Sequence, residues 1–176
     1  MRFRDALAQP GLAAVAEFKR RSPSMGDIRP DARVEDVVSV YAANGASAIS
    51  VLVDARFGGS VADLVAARGA TRVPLLAKGF FSTQEHLIEL RQAGADAALL
   101  ILRDLDDETC RRLMRKADDL GMDALVEAHD EAELQRAQRL GAPVIGINAR
   151  DLSTFHIDRA RQLALVARAA GDIVIA

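Results

Sequence analysis

Short apolar runs recur along the chain, each followed by turn residues and then by a charged stretch whose apolar positions fall at helical spacing. The pattern predicts strands at Ala13–Phe18, Ala48–Val53, Pro74–Lys78, Ala97–Leu102, Ala124–Glu127, Val144–Asn148 and Ile173–Ala176. Helices are predicted between them at Val34–Asn44, Ser60–Ala70, Thr83–Ala93, Asp106–Leu120, Asp130–Leu140 and Ile157–Ala170. Gly45, Gly94, Gly121 and Gly141 stand where a left-handed residue would end a helix. Ser82 with Glu85, and Asp130 with Glu133, have the spacing of a capping box. Strands without a polar face, alternating strictly with helices, imply a parallel sheet covered by helices. A doubly wound sheet would carry a glycine-rich turn after its first strand, whereas the first strand here runs into Lys19, Arg20, Arg21, Ser22, Pro23 and Ser24. The expected fold class is therefore α/β, a parallel (β/α)8 barrel of the TIM type, incomplete with about seven strands and forming one domain over residues 1–176.

The strands stop being apolar at one end. Alternate strand residues share a face, so Val15, Glu17 and Lys19 project together. The same phase sets Leu76 with Lys78, Leu125 with Glu127 and His129, and Gly146 with Asn148 and Arg150. An unpaired buried charge costs several kcal/mol, so a plain core would not hold these residues without partners. Internal ion pairing explains one such residue. Convergence from four strands on one end of a barrel points instead to an active site. Two lysines and two carboxylates in one mouth also shift each other's proton affinities, as acid–base chemistry near neutral pH requires. Ser22 and Ser24, beside Lys19, Arg20 and Arg21, are candidates to meet a phosphate or carboxylate.

Composition narrows the field. The net charge of -2 is dispersed, with no basic run and no aromatic-rich segment, which argues against nucleic acid as a partner. The single cysteine, Cys110, permits no internal disulfide and suits a reducing compartment; it is expected to be a partly buried helix residue. The apolar stretch Gly11–Ala16 is too short for a signal sequence, and no apolar run reaches membrane-spanning length. A cytoplasmic location without membrane association is expected. Asp104, Asp106, Asp107 and Glu108 read as acidic residues at a helix start rather than metal ligands.

The segment Ala16-Glu17-Phe18-Lys19-Arg20-Arg21-Ser22-Pro23-Ser24-Met25-Gly26 resembles the first-strand signature of indole-3-glycerol phosphate synthases. Ala48-Ile49-Ser50-Val51-Leu52, Leu125-Val126-Glu127-Ala128-His129-Asp130 and Ile145-Gly146-Ile147-Asn148-Ala149-Arg150-Asp151-Leu152 are also similar to motifs of that family, in the same order. The resemblance implies a carboxy-lyase of tryptophan biosynthesis. It would close the ring of 1-(2-carboxyphenylamino)-1-deoxyribulose 5-phosphate, giving indole-3-glycerol phosphate, carbon dioxide and water without a cofactor. By the same resemblance Lys78 is the general acid of ring closure and Glu127 the carboxylate of proton transfer in dehydration. Glu17 and Asn148 orient substrate and lysines, and Lys19 holds the substrate's anionic groups. Arg150, Ser22 and Ser24 are similar to binding positions, and Phe57 and Phe80 are expected in the aromatic pocket. The implied partner is a phosphorylated small molecule; association with other tryptophan-pathway enzymes, or self-association through unpaired barrel edges, is the further expectation. Two other readings stay open: a sister phosphate-binding barrel such as phosphoribosylanthranilate isomerase, and a non-catalytic assembly module.

The chain departs from the family pattern in several places. Lys78-Gly79-Phe80 stands where the family usually has Lys-Asp-Phe, and the loop Asp54–Ser60 is one residue shorter. The family's N-terminal extension, which covers the barrel mouth, is represented only near Arg4–Gln9. Beyond Ala176 the family continues into an eighth strand and further helices, and a phosphate site of this fold is built after strands seven and eight. The expectation is a fragment that is marginally stable and weakly active at most. Normal turnover by the 176-residue polypeptide overturns it.

Overall fold

The structure, a computed structural model, describes residues 2–23, 25–150, 157–169 and 173–176. Ser24, Asp151 and Leu152 lie outside the described residues. In chain order the elements are α1 (Phe3–Leu7), β1 (Val15–Phe18), β2 (Arg21–Ser22), β3 (Gly26–Asp27), α2 (Val34–Ala43), β4 (Ala48–Leu52) and α3 (Val61–Ala70). They continue with β5 (Leu75–Lys78), α4 (Gln84–Gln92), β6 (Ala97–Ile101), α5 (Asp107–Asp119), β7 (Asp123–Ala128), α6 (Glu131–Leu140), β8 (Val144–Ile147), α7 (Arg159–Arg168) and β9 (Val174–Ile175). Every predicted strand and helix is present, with ends shifted by one or two residues. The antiparallel β2–β3 hairpin is an addition, too short to leave a periodic trace.

The main sheet has seven parallel strands in the order β1-β4-β5-β6-β7-β8-β9. It is a curled, incomplete barrel of the TIM type, with β1 and β9 at its two ends. Strand alternation divides the apolar residues into two clusters. Phe18, Ile49, Val51, Leu75, Ala77, Ala98, Leu100, Val126 and Ile145 face outward and meet the helices. Ala48, Leu76, Ala97, Leu99, Leu125 and Val144 face inward and fill the concave side. Because both faces are covered, β6 is apolar throughout, β4 is apolar except at Ser50, and both are buried at every position.

Helix ends follow local chemistry. Asp106 and Asp130 cap α5 and α6 by accepting from the backbone N–H groups of Thr109 and Glu133. The acidic cluster near Asp106 therefore has a structural use, and Asp107 pairs with Arg136. Gly45, Gly94, Gly121 and Gly141 hold left-handed backbone as expected. Cys110 is fully buried on α5. The cap of α4 is a correction: Thr83, not Ser82, accepts from His86 N–H, and Ser82 donates its own N–H to His86 Nδ1. The capping spacing of Ser82 and Glu85 coincided with a hydroxyl one residue nearer the helix.

α1 lies at the opposite end of the strands from the polar mouth, where Arg2 donates to the Met122 carbonyl and the Arg4 N–H donates to Asp123 at the start of β7. Phe3, fully buried, joins the inward cluster from below. An inward-facing layer of small residues, Ala48 and Ala97 among them, leaves the space that this ring fills. Phe3→Ala is expected to cost about 3–5 kcal/mol of stability, read from urea midpoints; a change below about 0.5 kcal/mol would show that the ring is not a core residue.

Candidate active site

A cavity of about 480 Å³ opens at the C-terminal ends of the strands, within the range of small-molecule sites. Its lining includes Glu17, Lys19, Lys78, Glu127, Asn148 and Arg150, with Phe57 and Phe80 at the rim. The inward phase of the strands places them. Glu17 pairs in register with Ser50, Leu52 with Lys78, and Ile101 with Glu127, and on their own strands Lys78 and Glu127 stand one inward step above Leu76 and Leu125 of the apolar floor.

Glu17 is the electrostatic centre of one side. Its Oε1 accepts from Lys19 Nζ at 2.7 Å and its Oε2 from Lys78 Nζ at 2.8 Å. Burial pushes the Glu17 carboxyl up, but the two ammonium groups outweigh it and hold the net value below the usual carboxylate range. Internal ion pairing and placement in a cavity, the two explanations open for these charges, thus hold together. Tyr41 on α2 fixes the strand behind them by donating to the Glu17 carbonyl.

Glu127 forms the other side and is only 9% exposed. Its Oε1 accepts from Asn148 Nδ2 at 3.3 Å and stands 3.3 Å from His129 Nε2. Burial pushes this carboxyl up as well; His129, Lys78 and Asn148 together bring it below its ordinary value. Asn148 Oδ1 in turn accepts from the Arg150 N–H, which turns the chain after β8 back toward the mouth. The arrangement offers two ammonium groups, two carboxylates and an amide around one apolar-floored space, the equipment for moving protons to and from a bound molecule.

The aromatic pair sits on this rim. Phe57 closes the single-turn helix Ala55–Phe57, whose N-cap Asp54 also holds Arg56 at 2.7 Å. Arg56 lies over the Phe80 ring at 3.9 Å, a cation–π contact that the sequence pattern did not reveal. The loop is tight at Gly59, where an added Cβ would stand 2.0 Å from the Leu52 carbonyl oxygen. Ser22 is not brought to the cavity. It is buried in the turn joining β2 to β3, and its hydroxyl accepts from the Met25 N–H at 3.0 Å. Arg20 is drawn away from the mouth too: it donates to the Ala32 and Gly58 carbonyls and to Asp63 at 2.8 Å. Ser50 was not singled out by the sequence pattern, yet it lines the cavity with a buried hydroxyl that has no hydrogen-bond partner among the described residues. His129, expected beside Glu127, is buried behind it rather than in the cavity lining.

A parallel β/α barrel whose strand ends converge ammonium and carboxylate groups on one cavity defines an acid–base site of the barrel-enzyme type. The model of the family described as indole-3-glycerol phosphate synthase matches residues 1–176, and the chain belongs to that family. It is 50% identical over 148 residues to an indole-3-glycerol phosphate synthase of Nocardioides sp., covering 84% of this chain and 57% of the relative. It is 46% identical over 160 residues to one from Parafrankia sp., covering 89% and 60%. The indole-3-glycerol phosphate synthase 2 of Streptomyces coelicolor is 46% identical over 158 residues, with 89% and 61% covered. The chain thus spans about three fifths of the length of these relatives. Among solved structures, the N-acetylmannosamine-6-phosphate 2-epimerase of Clostridium perfringens superposes with a TM-score of 0.69 at 13% identity, covering 99% of this chain and 78% of that one. That likeness is one of fold. Among the described residues, no helix is long and apolar enough to cross a membrane.

Gly79, the departure beside Lys78, has a packing reason. A Cβ added there would stand 2.8 Å from the Phe81 ring and 3.4 Å from Val53. The Phe81 ring occupies space that a side chain at position 79 would need, and it meets His86 edge-on. Gly79→Asp is expected to destabilise by about 1–3 kcal/mol through overpacking, with part recovered when Phe81→Leu is added. Additive effects of the two substitutions in denaturant titrations would show that the ring is not the obstacle.

Proposed function

We propose that the protein carries out the indole-3-glycerol phosphate synthase reaction, as a cytoplasmic carboxy-lyase of tryptophan biosynthesis. The observation that carries this reading is the convergence of Lys78, Glu17, Lys19, Glu127 and Asn148 on one cavity in a chain of this family. The substrate is 1-(2-carboxyphenylamino)-1-deoxyribulose 5-phosphate. Its aromatic ring carbon attacks the ribulose carbonyl while the Lys78 ammonium gives that oxygen a proton, so the new carbon–carbon bond forms without a free alkoxide. Loss of carbon dioxide returns the electron pair to the ring. Expulsion of the new hydroxyl as water, with proton transfers through Glu127, completes the indole.

Glu17 serves by holding Lys78 and Lys19 on one carboxylate. Lys19 and Arg150 supply positive charge for the substrate's carboxylate and phosphate. Phe57 and Phe80 border the space that an aromatic ring would enter, with the Phe80 face already engaged by Arg56.

The isomerase reading accounts for the fold but gives no use to the set of Lys78, Glu127 and Asn148. Lys78→Ala is expected to reduce ring closure by about 10²–10⁴-fold while leaving the circular dichroism spectrum and urea midpoint near those of the unsubstituted protein. Formation of the indole product at an undiminished rate, or turnover of phosphoribosylanthranilate in its place, would overturn the assignment.

A further inference from the structure

Behind Glu127, on the side away from the cavity, a histidine is enclosed between two carboxylates. His129 is 2% exposed and is absent from the cavity lining. Its Nδ1 is 3.0 Å from Glu133 Oε2, and the same oxygen accepts the His129 backbone N–H at 2.8 Å. Its Nε2 is 3.3 Å from Glu127 Oε1 but lacks the alignment of a hydrogen bond, so that contact is one of charge. Glu133 is in turn fixed by the cap of α6, where its backbone N–H donates to Asp130 Oδ1 at 2.8 Å. Three successive links, the middle one doubled, therefore lead from a helix cap to one oxygen of the site carboxylate.

The arrangement discriminates between the two oxygens of Glu127. Oε1 is engaged by Asn148 and faced by His129; among the described residues, no hydrogen-bond partner reaches Oε2. We propose that His129 is a positioning residue for the reaction: an imidazolium clamped between Glu127 and Glu133 that keeps Glu127 ionised and presents its Oε2 to the cavity. The inference rests on the reading that Glu127 moves protons in the dehydration step.

The surrounding charges favour the imidazolium. Burial pushes His129 down, but Glu127 and Glu133 outweigh it and raise it from 6.5 to about 9. The positive end of α6 acts against a cation at this place, which makes two carboxylate partners necessary rather than one. The other charges that bear on the pair are Lys78, acting on Glu127, and Arg103, acting on Glu133; both favour ionised carboxylates. Since the folded value of His129 lies above its unfolded value of 6.5, its stabilising effect is complete below pH 6.5 and is lost as pH rises through about 9.

The test is an NMR titration of the 176-residue protein labelled at histidine rings and glutamate carboxyls. His129 is expected to stay doubly protonated through neutral pH and to lose its proton near pH 9. In His129→Gln, which keeps a polar side chain but no charge, the Glu127 titration is expected to move up by about one pH unit or more. In Glu133→Gln, His129 is expected to titrate at lower pH. A His129 that titrates at or below 6.5, or a Glu127 unmoved by His129→Gln, would overturn the clamp. If His129→Gln does not fold, Glu133→Gln decides, and an unmoved His129 overturns the proposal.

These readings need no substrate and are separate from the assay. Where the unsubstituted protein turns over, His129→Gln should shift the acidic limb of the kcat profile to higher pH with KM unchanged; an unshifted limb contradicts the positioning role. Absence of indole formation in the unsubstituted protein would count against the reaction reading, and the titrations would still decide the clamp.

Discussion

Everything at the mouth of this half-barrel depends on how carboxylates are kept charged against an apolar floor. Glu17 rises from β1 beside Ser50, in the same row of the sheet as Leu76, in surroundings that favour a neutral acid. Two ammonium groups reverse that preference. Because Lys78 belongs to β5 and Glu17 to β1, with β4 between them, the ion pair reaches across a strand on the concave face. It contributes little to stability in comparison with the apolar clusters, since desolvation offsets much of the attraction. What it fixes is geometry: Lys19 and Lys78 are brought to one carboxylate and hence to one side of the cavity.

The fold was legible because each strand is apolar on both faces and each helix begins and ends with its own signals. The phase of the strands was equally legible, since period-two alternation sets Glu17, Lys78, Glu127 and Asn148 on the same side as Leu76, Leu99 and Leu125. Contacts between side chains distant in sequence were not. Arg56 over Phe80, Arg20 with Asp63, and Arg2 at the foot of β7 are unions of exposed-looking residues that no local pattern brings together. The local use of Ser22 was hidden for a related reason. A serine beside lysine and arginine satisfies an anion-binding pattern, and the pattern does not show that its hydroxyl accepts from the Met25 N–H of the same turn.

The N-terminal helix teaches a similar lesson. Its apolar residues Phe3 and Ala6 call for burial without saying where. Which end of the barrel receives them is decided by complementary volume and charge: small inward residues below, and Asp123 ready to accept the Arg4 N–H and to pair with Arg2. At the other end Lys78 and Glu127 stand among the inward residues beside Leu52 and Ile101, and the surface is mixed rather than an apolar seat. The two ends of one set of strands thus divide the work, the lower end closed by packing and the upper end left open for chemistry.

The two site carboxylates reach the same ionised state by different routes, and the difference suits different tasks. Glu17 is held by lysines that themselves line the cavity, so a bound molecule that draws on Lys78 or Lys19 alters the environment of Glu17 at the same time. Glu127 is faced by a buried histidine that is outside the cavity lining. A group that must accept and return a proton benefits from a partner whose charge stays constant while the substrate changes, whereas a group that orients lysines benefits from sharing their response. The distinction follows from burial alone: Lys78 and Lys19 are in the cavity wall, His129 is behind it.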